Sequence, residues 1–247
     1  MTRNLVAFAK DQEPKQEFFK ISEKIDLVVR LFKKDLEGID IIRQDQPGVP
    51  DLLADPGMIE HELLMPAGDF EKMKYALAFG ADAVYLGIPR FSLRARENGF
   101  KKLDQIVEAI EYAHAIDKKV YLTANILPHN NKVEPCIESI GQTLDRCKPD
   151  AWIMSDPGLI MLMREKYPDQ VIHISVQANT VNYASAQFWQ KMGADRIILS
   201  RELNVREMKE IRDAAPDLEL EAFVHGAICV AYSGRCLISS YLAARDP

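Results

Sequence analysis

Cys229 and Cys236 stand in the run HGAICVAYSGRC, separated by six residues and beside Gly226, Gly234 and Arg235. Two thiols in a glycine-containing loop suit an iron–sulfur or zinc site, which usually takes four protein ligands; two are visible. Cys229 with His225 also has the makings of a thiol nucleophile and its base, the chemistry of a protease. The other two cysteines differ in kind. Val133, Cys136, Ile137, Ile140, Leu144 and Cys147 form one helical stripe, so Cys136 and Cys147 read as core residues. Four cysteines in 247 residues are too few for a disulfide framework. They fit a cytoplasmic protein whose thiols are reduced or hold a metal. HELLM at 61–65 begins like the zinc-protease motif but lacks the second His, and neither a G-x-S-x-G elbow nor a phosphate loop is present.

The elements that must position these residues are legible from residue 62 onward. Seven short apolar runs, ELLMPA, AVYLG, KVYLTAN, AWIMSD, VIHISV, RIILS and LEAFVHG, alternate with segments of helical periodicity. Near-continuous apolar strands separated by helices indicate a parallel sheet covered by helices. An internal echo supports this: GADAVYLG, KPDAWIMS and GADRIILS each set Asp82, Asp150 or Asp195 before an apolar strand. Each strand then ends in a small residue, Gly87, Ser155 or Ser200. The echo falls on alternate strands, as the packing layers of a TIM-type (β/α) barrel do. That barrel is the expected fold, with a doubly wound open sheet as the alternative. One unit is short of eight: either the eighth lies past Pro247, the favoured reading, or an early segment such as RNLVAFAK fills the gap.

Residues 1–60 read as an appendage. From Glu17 to Leu36, Phe18, Ile21, Ile25, Val28, Val29, Phe32 and Leu36 recur at helical spacing, and a linker rich in proline and glycine follows. This appendage is expected to pack on the barrel, residues 61–247, or on a protein partner. No apolar run approaches the roughly 20 residues a membrane-spanning helix needs. Met1–Lys20 carries scattered charges, unlike a signal peptide. A net charge of −6 argues against a broadly basic nucleic-acid binder, but not against RNA held by a local basic patch.

In a (β/α) barrel the active site forms where the strands end. Those positions carry Arg90, Asn125, His129, Ser155, Asp156, Ser175, Gln177, Asn179, Arg201, Glu202, His225 and the two rim cysteines. Helix caps and turns account for Asp156 and Asn130, but poorly for Gln177, Arg201 or His225. Arg90, Arg94, Arg96, Arg201, Arg235 and Arg245 also fall in or just after rim loops, and guanidinium groups bind carboxylate and phosphate in bidentate fashion. An anionic substrate, RNA phosphate, or both is the implied ligand. His173, inside a strand, reads as a core or rim histidine.

The strings ELLMPAGDFEKMKYALAFGADAVYLG, ANILPHN, IMSDPGLIMLMRE, HISVQANTVNYASAQFWQKMGADRIILSREL and FVHGAICVAYSGRCLISSYLAARDP run almost unbroken from residue 62 to 247. They resemble the collagenase-like putative peptidases, a U-class family of unknown catalytic type; SVQAN and HGA-x-C-x-x-x-SGRC are the specific strings. The resemblance is strongest to members that modify tRNA, and it implies hydroxylation in place of proteolysis. Such members take part in making 5-hydroxyuridine at the tRNA wobble position, in a prephenate-dependent pathway that does not require oxygen. Relatives hydroxylate a ribosomal RNA cytidine or the ubiquinone ring, and several carry a 4Fe–4S cluster on four cysteines. By position Cys229 and Cys236 match the first two ligands, and the other two would follow Pro247. On this reading His225, Gln177 and Asn179 orient substrate. Arg90, Arg94, Asn125, His129, Arg201, Glu202 and Arg235 bind prephenate carboxylates or the tRNA backbone, and Tyr85, Phe91 and Tyr232 are available to stack on a base.

Overall fold

The computed structural model describes residues 3–8, 17–19, 52–54, 60–93, 98–225 and 231–236. The chain divides into two compact units, residues 1–7 with 61–247, and residues 8–60. In chain order the strands are β1 (Arg3–Phe8), β2 (Glu17–Phe19), β3 (Leu52–Ala54), β4 (Glu60–Pro66), β5 (Ala83–Gly87), β6 (Lys119–Ala124), β7 (Ala151–Met154), β8 (Ile172–Ile174), β9 (Arg196–Ile198) and β10 (Glu219–His225). The helices are α1 (Phe70–Ala78), α2 (Leu103–His114), α3 (Asn130–Leu144), α4 (Pro157–Lys166), α5 (Tyr183–Lys191) and α6 (Val205–Ala214), with a 3-10 turn at Val176–Ala178.

Strands β4 to β10 are the seven expected runs, and they pair in parallel and in sequence order. The barrel closes on a strand that the sequence had offered only as the second choice. Arg3–Phe8 takes the eighth place, antiparallel to β10, with Leu5 opposite Ala222 and Ala7 opposite Leu220. The hexapeptide RNLVAF satisfies the open edge of β10 through backbone hydrogen bonds, which a strand can make whichever way it runs. The helix expected from Glu17 is corrected at its start: Glu17–Phe19 pairs antiparallel with Leu52–Ala54, so these backbone groups bond across a two-stranded ribbon instead of along a helix. Residues 20–36 of that expectation lie outside the described residues. Among the described residues no helix is long and apolar enough to cross a membrane.

Strand alternation divides the core in two. Val120, Leu122, Trp152, Met154, Ile172, Ile174 and Ile197 face outward under the helices, meeting Ile106, Ala109, Ile110 and Ala113 of α2 and Cys136, Ile137 and Ile140 of α3. Leu64, Ala83, Tyr121, Ala151, Ile153 and Ile198 pack inside the barrel. Helix starts are set by polar caps: Asp69, Asp156, Asn182 and Asn204 each accept a backbone N–H from the first turn.

The echoed aspartates explain themselves at the end where the strands begin. Asp82 accepts the Leu63 N–H at 3.0 Å while its own N–H donates to the Leu63 carbonyl at 2.9 Å. Asp150 does the same with Val120, at 2.7 and 3.0 Å, and Asp195 with Ile172, at 2.8 and 2.9 Å. Each carboxylate also meets a basic side chain: Asp82 the Lys118 ammonium at 3.1 Å, Asp150 the His114 ring at 2.9 Å and Asp195 the Arg164 guanidinium at 2.9 Å. The same side of the barrel holds an internal ionic group. Arg196, 2% exposed, bonds Glu219 at 2.8 Å and Glu62 at 3.3 Å, with Glu221 at 3.7 Å. Tyr121 donates to Glu62 and lies edge-on to His173, ring centroids 4.7 Å apart. Burial works to raise the Glu62 carboxyl, but Arg196, Tyr121 and Lys119 outweigh it and hold it below the ordinary value. Burial, with the Arg196 and Lys119 charges, drives His173 well below 6.5.

Two outcomes follow. Asp150→Ala removes a charged acceptor from a strand N–H and should lower the unfolding free energy by about 1–3 kcal/mol, read as a shifted urea midpoint. His173 stays neutral in the folded chain while the unfolded chain takes up a proton as pH falls below 6.5. Its contribution is therefore intact above that value and is lost below it, by up to about 1.4 kcal/mol per pH unit. His173→Phe should flatten that part of the stability profile.

Candidate functional site

The opposite end of the barrel carries the rim residues, held by contacts between loops. After β5, Gly87 leaves room for Ser92, whose hydroxyl bonds Thr123 at 2.9 Å. Asn125, after β6, accepts the Leu93 N–H at 3.2 Å through its side chain. Its carbonyl accepts the Ser155 hydroxyl at 3.3 Å. After β8, the Ser175 hydroxyl accepts the Gln177 N–H at 3.3 Å, and the turn ends at Asn179 in the left-handed region, φ 52°. Asparagine tolerates that conformation better than most residues. The Asn179 amide donates to the Ser200 hydroxyl at 3.5 Å, joining the ends of β8 and β9.

Arg201 and Glu202 take a different place from the substrate-binding one expected of them. The Arg201 guanidinium donates to the Ala231 carbonyl at 2.9 Å and to the Ser233 hydroxyl at 3.3 Å. The Glu202 carboxylate accepts the Ser233 N–H at 2.8 Å. Burial works to raise that carboxyl, but its hydrogen bonds from Ser233 outweigh the effect and hold it below the ordinary value. Both side chains thus strap the loop 231–236 to the rim. On its other side Gly234, at φ 72°, lies so close to the Gln177 carbonyl that a side chain there would collide with it. Cys236 is half-buried at the end of this loop.

A pocket of about 320 Å³ opens where these loops meet α5. Gln177, Asn179 and Ser155 line it together with Phe188, Trp189 and Arg235. Among the described residues the Gln177 side-chain amide and the Arg235 guanidinium make no hydrogen bond or ion pair with the protein. Phe188 is 49% exposed and meets Trp189 edge-to-face at 5.0 Å. Sequence reasoning missed this aromatic pair, because FW on an amphipathic helix looks like core. Of the expected stacking residues, Phe91 is buried in the core, Tyr85 is half-buried against the barrel interior and Tyr232 is exposed.

Arg90 and His129 are not among the residues lining this pocket. Arg90 is exposed in the left-handed region, φ 72°, with its guanidinium 5.5 Å from the Phe91 ring. His129 is exposed at the start of α3. His225 ends β10, while Arg94 and Cys229 lie outside the described residues. Cys136 is buried under α3, where desolvation and the Asp156 charge push its thiol up to about 12, and the Cys147 thiol donates to the Thr143 carbonyl at 3.4 Å. Neither is poised as a thiolate ligand.

Residues 68–247 match the model of peptidase family U32. The chain belongs to that family. Within U32 it is 56% identical over 186 residues to tRNA hydroxylation protein P of Haemophilus influenzae and 55% identical over 190 residues to that of Escherichia coli K12. These alignments cover 75% and 77% of this chain but 40% and 42% of the relatives, so the chain spans less than half of their length. It is 38% identical to the 23S rRNA 5-hydroxycytidine synthase of E. coli, over 72% of this chain and 26% of that one. The solved structure of the U32 peptidase Mk0906 shares the fold, with TM-score 0.53 at 16% identity over 64% of this chain and 66% of that one.

Gly234→Ala forces the 231–236 loop off the Gln177 turn. Trypsin cleavage after Arg235 should accelerate about tenfold, with little change in the urea midpoint of the whole U32 barrel. Unchanged cleavage would mean that the contact does not hold the loop.

Proposed function

We propose that this chain forms the catalytic barrel of a tRNA-modifying hydroxylase that converts a wobble uridine to 5-hydroxyuridine. One observation supports the reading above the others: the loop bearing Cys236 is strapped against the turn bearing Gln177 and Asn179, so a rim thiol neighbours a pocket suited to an organic ring. The names of the relatives agree in kind, two being tRNA hydroxylation proteins and one a ribosomal RNA hydroxycytidine synthase. Replacing the uridine C5–H by C5–OH is a net two-electron oxidation, so the base must sit beside a redox-active group.

In this proposal that group is a 4Fe–4S cluster with Cys229 and Cys236 among its thiolates, and prephenate is the small anionic co-substrate. The described residues do not by themselves fit such a cluster. Cys236 is their one rim thiol, and no group of three or more His, Cys, Asp or Glu side chains among them is arranged to hold a metal. The work assigned to this chain's own residues is therefore binding and orientation. Gln177 and Asn179 offer carboxamides to the substrate, the exposed Arg90 and Arg235 offer guanidinium groups to phosphate or carboxylate, and the Arg201–Glu202 strap holds the loop. Of residues 1–60, those after the barrel strand Arg3–Phe8 are assigned to a protein partner, and the enzyme works in the cytoplasm.

Anaerobically purified protein at its natural length, assayed for iron, acid-labile sulfide and hydroxyuridine formed in tRNA, tests this. Iron and sulfide should appear in equal amounts and vanish in the Cys229→Ser, Cys236→Ser double variant. Product should require prephenate, and Gln177→Ala with Asn179→Ala should lower it about a hundredfold with the unfolding midpoint unchanged. Iron-free protein without product, or gelatin cleavage that depends on Cys229, would overturn the reading.

A further inference from the structure

We infer that the pocket between the Val176–Ala178 turn and α5 receives a single pyrimidine, unstacked from its RNA strand, with Phe188 as its stacking wall. The inference rests on the RNA-modifying reading above and names the subsite that takes the target base. At about 320 Å³ the space lies at the small end of ligand sites and suits one nucleoside. Its wall is aromatic and braced: Phe188 presents about half of its surface, while Trp189, 7% exposed, backs it edge-to-face at 67°. A large exposed aromatic side chain in a concave site calls for a flat apolar partner.

The polar groups narrow the ligand further. Among the described residues, the lining side chains that can offer a ring edge both a donor and an acceptor are the carboxamides of Gln177 and Asn179; the Ser155 hydroxyl gives its proton to the Asn125 carbonyl and can only accept. Each carries both a donor and an acceptor. The alternating carbonyl and N–H groups of a uracil edge match such a pair, as enzymes that extrude a base commonly arrange. Arg235 is the one charged residue among the described residues that line the pocket. A compact dianion such as a dicarboxylic acid would call for more positive charge than that. A neutral ring with one phosphate at the mouth calls for one guanidinium. Gly234 brings the loop backbone against the Gln177 turn, so the base would lie two residues from the Cys236 thiol along that loop.

The test compares two RNA hairpins bound by the full chain, one with a single loop uridine and one abasic at that position. Wild-type protein should bind the uridine hairpin about tenfold more tightly. Phe188→Ala should bring the uridine hairpin down to the abasic affinity, and Phe188→Trp should keep the difference. Gln177→Leu should reduce it by a second, independent substitution, so that one poorly folded variant does not decide the matter. Equal affinity of the two hairpins for wild-type protein would overturn the pocket assignment while leaving an RNA-binding enzyme. Failure to bind either hairpin would overturn the enzyme reading together with it.

Discussion

A carboxylate set just before a strand, accepting the N–H at the start of the strand before it, recurs at Asp82, Asp150 and Asp195. Each aspartate also donates its own N–H back to the residue it receives from. This two-point link fixes the register of β4 with β5, β6 with β7 and β8 with β9. A slip of one residue would turn every inward side chain outward. The Asp82 carbonyl further accepts the Lys119 N–H, and that of Asp195 the Glu219 N–H, so two of the three aspartates gather the starts of three strands. With register set there, the rim can be built from irregular loops at little risk to the frame.

The two ends of the barrel thus solve different problems. At the strand starts, Arg196, Glu62 and Glu221 are buried with the partly exposed Glu219 beside them, a mutually compensated arrangement that costs desolvation and tolerates no missing partner. At the rim, polar groups hold one another more lightly and leave amide and guanidinium groups facing the pocket. Arg201 and Glu202 work between these regimes, spending charge on one loop so that Gly234 and Arg235 form a wall.

Much of this was legible in the residue pattern. Apolar runs at regular spacing located all seven parallel strands, the helical stripe put Cys136 in the core, and the aspartate echo marked alternate strands. Three things escaped the pattern for physical reasons. The closing strand is antiparallel and more than fifty residues from its barrel neighbours in sequence, so no local period announces it. Arg201 and Glu202 carry the same side chains whether they meet a substrate or a carbonyl of their own chain, and tertiary placement alone decides. Phe188 and Trp189 sit adjacent on α5, one turned outward and one inward, a division that periodicity assigns only once the neighbouring loops are in place.

The aspartate links also bear on the order in which the barrel can assemble. They join residues 19, 30 and 23 positions apart, short closures whose entropy cost is small. The Arg196–Glu62 contact spans 134 positions, and the pairing of β1 with β10 spans most of the chain. Loop-closure entropy therefore favours three strand pairs forming first as local nuclei, with the ionic group and the antiparallel strand as the late, rate-limiting seam. A protein built this way commits to its register early and to its closed circumference last.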